Sequence, residues 1–136
     1  MLKLFEVQGF KNFKEKITID FSDVRDYKFS RQCLTENLIS KMIIYGKNAS
    51  GKSNLGLALF DIVSHLSSKN VTPHLYDYYL NADSPLDYAE FHYEFQFGED
   101  FVDYLYRKDE DQTLIFEKVS LNDHLLYQYD YQTGDH

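Results

Sequence analysis

Gly46 and Gly51 bracket four residues and are followed at once by Lys52 and Ser53, within the stretch "IIYGKNASGKSNLGLALF" (Ile43 to Phe60). The pattern G-x-x-x-x-G-K-S constrains this chain more than any other feature, because it demands a strand, a tight loop and a helix in that order. Both flanks fit. "ISKMIIY" (Ile39 to Tyr45) is an apolar run stopped by Gly46, as expected of a strand buried on both faces. From Lys52 the period changes: Leu55, Leu59, Ile62, Val63 and Leu66 fall on one helical face, and Asn70 is placed to cap that helix in the left-handed conformation. A chance match to the eight-residue pattern in a chain of this length is on the order of 1%.

Each residue type in the loop has a physical reason. Gly46 and Gly51 permit backbone angles that a side chain forbids and allow close approach to a ligand. The resulting loop aims successive N–H groups inward as a nest for phosphate oxygens, and the helix N-terminus adds unsatisfied donors. Lys52 is expected to reach the β- and γ-phosphates and to be the catalytic residue; Ser53 is expected to ligate Mg²⁺. The expected nucleotide-contacting set is therefore Gly46, Asn48, Ala49, Ser50, Gly51, Lys52, Ser53 and Asn54, with ATP and Mg²⁺ as the ligands.

The rest of the chain is rich in β signals. The 136 residues suffice for one domain with a core, and 12 Tyr and 11 Phe favour strands. "LKLFEVQGF" and "KITIDF" flank the polar turn "KNFKE" and suggest a hairpin; residues 22–37 have no clean period and suggest a loop. Residues 71–88 hold both prolines and suggest an irregular excursion. Then "AEFHYEFQF" sets Phe91, Tyr93, Phe95 and Phe97 against His92, Glu94 and Gln96, and "FVDYLYRK", "TLIFEKVS" and "HLLYQYDYQ" follow, separated by "GED", "DEDQ" and "LND". This predicts an antiparallel meander of three or four strands. The expected fold is thus mixed α/β: a strand–P-loop–helix core with an N-terminal hairpin over 1–70, and an antiparallel β subdomain over 71–136.

Charge divides the same way. Residues 1–70 carry 11 Lys+Arg against 7 Asp+Glu, and residues 71–136 carry 3 against 15. The basic half suits an anion, and the acidic half argues against direct nucleic-acid binding. No apolar run approaches the roughly 18 residues of a membrane span, and the N-terminus lacks the small-residue cleavage site of a signal peptide. A single cysteine, Cys33, fits a reducing cytoplasm.

"LKLFEVQGFKNFKEKITIDF" followed by the P-loop stretch resembles the N-terminal lobe of ABC-type ATPases of the SMC and RecF kind. It is most similar to the AAA-family ATPases of bacterial phage-defence and abortive-infection systems, relatives of the OLD nucleases. Gly9 to Lys14 match the turn that precedes the P-loop there, Asn48 and Ser50 match the loop, and Ile115, Glu117 and Val119 match a strand of the antiparallel subdomain. The resemblance implies that Asn12, Phe13 and Lys14 line the base, ribose or α-phosphate side of ATP. It also implies a partner lobe carrying Walker B and signature segments, a second protomer bound head to tail, and a nuclease or other effector. This sequence shows no Walker B pair, signature segment or switch histidine, so it is expected to be the N-terminal portion of a larger ATPase, inactive alone. Gln128 and Gln132 are the candidates for a Mg²⁺-contacting glutamine. The alternative is a non-catalytic interaction module retaining the fold; a compact nucleotide kinase is a weaker third option, since its lid arginines are missing.

Other chemistry has less support. The five histidines are scattered without metal-ligand spacing, and His65 and His92 fall on the expected helix and on a strand's polar face. Cys33 has no basic cluster to activate it, and "DEDQ" fits a solvated turn.

Overall fold

The computed structural model describes residues 1–25, 31–67 and 77–136. Their dominant element is a six-stranded sheet in the order β2-β1-β5-β6-β7-β8, with every neighbouring pair antiparallel. The strands are β1 (Leu2–Gln8), β2 (Ile17–Asp20), β5 (Ala89–Phe97), β6 (Asp100–Lys108), β7 (Leu114–Leu121) and β8 (His124–Asp130). A two-stranded ribbon, β3 (Leu34–Thr35) with β4 (Leu38–Ile39), forms a second sheet joined to the end of β2 by the Ile39 amide, which donates to the Phe21 carbonyl, and the α-helix of the described residues is α1 (Lys52–Ser67).

This corrects the α/β expectation. The described residues are mainly antiparallel sheet with one α-helix, not a P-loop core of alternating strand, loop and helix. The difference begins at Ile39–Tyr45. Only Ile39 of that run is in a strand; residues 40–45 are irregular and exposed, with Ile43 at 88% and Tyr45 at 90%. Apolar composition does not make a strand without a ladder partner, and among the described residues none pairs with residues 41–45.

The antiparallel part follows from its turns and its alternation. Gly98, at φ +64°, opens the two-residue turn between β5 and β6. Asn122 and Asp123, both at positive φ, form the turn between β7 and β8. These are the conformations that tight hairpins need to match strand twist. Alternation then puts Phe91, Tyr93, Tyr104 and Tyr106 on one face, where they join Phe5, Val7 and Phe10 in the core. Strands from both halves of the chain share this sheet, since β1 lies between β2 and β5.

α1 closes the core with only part of the stripe that periodicity suggests: Leu55, Leu59 and Ile62 pack against it half-buried. Val63 and Leu66 are exposed, whereas Ala58 and Asp61 are buried. The sheet presents phenol groups rather than a purely apolar surface. Tyr93 donates to the Ala58 carbonyl at 2.9 Å, and Tyr106 donates to Asp61 at 2.7 Å. The Asp61 carboxylate accepts from Tyr106 and also from Tyr79 at 3.0 Å, which a leucine cannot do, while the helix backbone takes the Tyr93 hydroxyl. The expected Asn70 cap and the excursion over residues 71–76 lie outside the described residues, as do residues 26–30 of the loop after β2.

Candidate functional site

The loop before α1 holds the sequence-predicted set together. Ala49 and Gly51 adopt positive φ, +66° and +92°, with Ser50 between them and the helix starting at Lys52. Alternating backbone of this kind turns N–H groups toward one side and makes an anion nest. The Ser50 amide donates to the Lys47 carbonyl at 3.3 Å, and the Leu55 amide to the Gly51 carbonyl at 2.9 Å, so the loop passes straight into the first helical turn.

Lys52 folds back over this loop. Its ammonium donates to the carbonyls of Gly46 at 2.6 Å and Lys47 at 2.7 Å, and to the Ser50 hydroxyl at 3.4 Å. A flexible cation is thereby parked at the mouth of the nest on neutral acceptors. Phosphate oxygens would be stronger acceptors for it than carbonyls.

The turn after β1 supplies the opposite wall. Asn12 accepts a hydrogen bond from the Asn54 amide at 2.8 Å, tying that turn to the first turn of α1. The turn is itself rigidly held. Gly9 adopts φ +75° with the Tyr88 carbonyl packed so close that a Cβ would sit 2.4 Å from it. The Lys11 amide donates to the Tyr79 carbonyl, the Asn81 amide donates to the Gly9 carbonyl, and the Asn81 side chain donates to the Lys11 carbonyl. The Lys11 ammonium donates to the Asp77 carbonyl at 2.8 Å; burial pulls its pKa below the ordinary lysine value, and the nearby Asp77 charge works against that. Sequence reasoning missed the supporting residues Asp77 to Asn81, because nothing local in a sequence links two turns some 70 positions apart.

Together these elements line a cavity of about 380 Å³ formed by Asn12, Asn48, Ala49, Gly51, Lys52, Ser53 and Asn54. Gly46 and Ser50 stand at its edge through Lys52. Phe13 packs against the core, Lys14 is exposed, and neither lines this cavity. Gln128 lies on β8, which the sheet order separates from β1 by β5, β6 and β7.

The donor set fits a triphosphate with its cation: an ammonium, a hydroxyl at the helix start, three side-chain amides and a nest of N–H groups. The close backbone approach also depends on glycine, since a Cβ at Gly51 would meet Asn12 Nδ2 at 2.3 Å. The lining contains no carboxylate, so the site can hold and polarise phosphate but offers no general base of its own. No protein-family profile matches this chain, and no curated protein matches it.

Proposed function

We propose that the chain binds ATP with Mg²⁺ at the loop Gly46–Ser53, with Lys52 turning from the Gly46 and Lys47 carbonyls onto the β- and γ-phosphates and Ser53 offering its hydroxyl to the cation. The observation that carries the reading is the Lys52 ammonium held at 2.6–2.7 Å over the mouth of a positive-φ loop that opens a helix. Asn12 and Asn54 would steady the rim of the site from the side of the β1 turn. The bound nucleotide would supply the phosphoanhydride and Mg²⁺ the charge neutralisation; this chain's part is to grip and orient. Because the cavity lining has no carboxylate, hydrolysis would require an acidic residue from a further ATPase lobe or from a second protomer placed head to tail. The setting we infer is cytoplasmic. The wider role that the resemblance implies is phage defence beside a nuclease or other effector. Among the described residues no helix is long and apolar enough to cross a membrane.

Calorimetric titration of ATP·Mg²⁺ into the chain and its Lys52→Ala and Ser53→Ala variants tests this. The expected result is at least about tenfold weaker binding in Lys52→Ala, or roughly 1.4 kcal/mol, and loss of the Mg²⁺ enhancement in Ser53→Ala. Equal affinities, or no binding by the unmodified chain, would refute the assignment. Steady-state turnover by the chain alone that disappears in Lys52→Ala would refute the need for an external acid.

A second reading, a non-catalytic interaction module, is favoured by one observation: Met42, Ile43, Ile44 and Tyr45 form a continuous exposed apolar run. It predicts no nucleotide binding.

A further inference from the structure

The face of the sheet turned away from α1 carries a separate cluster. β5 places His92 and Glu94 two residues apart on that face, and the β5–β6 register sets Asp103 directly opposite Glu94. One potential ligand atom from each of the three lies within 4.8 Å of the other two, and all three residues are half-buried. Sequence spacing hides this group, because it exists only once the register of two strands is known.

The geometry around His92 is what distinguishes the group from an ordinary charged ladder. Glu6 of β1 faces His92 across the sheet, and its carboxylate lies 3.4 Å from Nδ1. Glu6 is itself anchored by Lys16 at 3.3 Å and Thr18 at 3.4 Å. On the other side Nε2 lies 2.7 Å from Asp103 Oδ2. A ring that gives its Nδ1 proton to Glu6 presents a lone pair at Nε2, facing a carboxylate that also only accepts. In that tautomer a cation has to bridge the 2.7 Å gap, whereas a neutral ring protonated at Nε2 bridges it by donating to Asp103. A carboxylate on the far nitrogen is also the arrangement that orients a metal-ligating histidine.

We propose that His92 Nε2, Glu94 and Asp103 form a binding site for a divalent transition-metal cation of the zinc class, with Glu6 as the residue that positions the imidazole. The site is independent of the ATP reading, since none of its residues lines the loop cavity. One nitrogen and two carboxylates make a three-residue set that leaves a coordination position open. With metal–nitrogen and metal–oxygen bonds of about 2.0–2.2 Å at tetrahedral angles, the Nε2–Oδ2 separation of 2.7 Å has to widen by roughly 0.6–0.9 Å, a small side-chain rotation. The ion takes the place of the proton between His92 Nε2 and Asp103, and the ring keeps a proton on Nδ1, toward Glu6. Lys3 is the built-in competitor. It is the extra residue where the β1–β5 register shifts between Leu2 and Leu4, and its ammonium pairs with Glu94 at 3.6 Å.

The test is titration of Zn²⁺ into the full chain by calorimetry in the absence of nucleotide, with Co²⁺ visible absorption as a coordination readout. The expected result is one equivalent bound with Kd below about 100 µM. His92→Gln and Asp103→Asn are each expected to weaken it at least tenfold, whereas Lys3→Gln should tighten it by freeing Glu94. Thermal unfolding of each variant shows whether it still folds. A double variant His124→Gln/His136→Gln should bind as the unmodified chain does. No saturable binding below about 100 µM overturns the proposal. So does binding indifferent to His92→Gln and Asp103→Asn, or binding abolished by the His124/His136 variant.

Discussion

Asp61→Ala should be the most damaging single substitution in α1, and its cost can be built from the structure. Asp61 is 1% exposed and accepts from Tyr79 at 3.0 Å, Tyr106 at 2.7 Å and Lys108 at 2.8 Å. Lys108 is itself buried, so removing the carboxylate strands an ammonium away from water. Breaking a buried pair from one side typically costs about 3–5 kcal/mol. A phenol left short of its acceptor adds about 1 kcal/mol or more. The terms overlap, and a total of about 5 kcal/mol is expected. At 0.05–0.15 kcal/mol per residue the whole chain is stable by only about 7–20 kcal/mol, so the variant loses a large share of it. The midpoint of thermal unfolding should fall by roughly 15–25 °C. Urea unfolding followed by far-UV circular dichroism measures this directly. A companion cycle isolates the pair: Asp61→Leu with Lys108→Met should cost at least about 2 kcal/mol less than the sum of the two single changes. A cost for Asp61→Ala under about 1 kcal/mol, or a cycle additive within about 0.5 kcal/mol, would refute the view that this carboxylate anchors α1 to the sheet.

Two further outcomes are expected. Gly51→Ala should leave the far-UV spectrum unchanged but weaken ATP·Mg²⁺ binding at least about tenfold, because φ +92° is strained for alanine by about 1–3 kcal/mol and the new Cβ pushes on Asn12; unchanged affinity in titration calorimetry would contradict this. His65 should make stability pH-dependent. Burial first, and then the Lys108 charge, lower its pKa below 6.5, against the opposing pull of Asp61 and Glu117, while the ring stacks on Tyr106 and shares a 2.7 Å hydrogen bond with Tyr104. The unfolded chain then binds the proton more readily, so stability is fully present above about pH 6.5 and falls as pH drops through the folded pKa. His65→Gln should flatten that slope in urea titrations between pH 7 and 5, and an unchanged slope would assign the loss to other groups.

The legible parts of the sequence were those whose physics is local. Period-2 aromatics with Gly98 and Asn122–Asp123 between them specify β5 to β8, and the polar turn after Gly9 specifies the pairing of β1 with β2. In the loop Gly46–Ser53 the backbone requirement was legible at Gly51, at φ +92°, but not at Gly46, whose φ is not positive; Ala49 takes a left-handed conformation instead. What failed depends on distant partners. The run Ile39–Tyr45 has the composition of a buried strand, yet a strand is defined by what pairs with it. The burial of Asp61 could not be foreseen from helical periodicity, since an acidic residue enters the core only where Tyr79, Tyr106 and Lys108 await it. The cluster of His92, Glu94 and Asp103 depends in the same way on strand register.

The position of β1 inside the sheet has a kinetic consequence. β5–β6 and β7–β8 are joined by two-residue turns and can zip locally within microseconds. β1 must instead find β5 across the 80 residues between Gln8 and Ala89. Closing a loop of that length costs on the order of 4 kcal/mol of chain entropy, before Phe5 and Val7 meet Tyr93 and Phe91. The meander is therefore the natural nucleus and the docking of β1 the late, slow event. Asn12 reaches Asn54 only once β1 has docked, so the loop and the first turn of α1 acquire their wall last. In native-state hydrogen exchange the amides of β5 and β6 should outlast those of α1, which ranks the end carrying the Gly46–Ser53 loop below the meander in protection among the described residues.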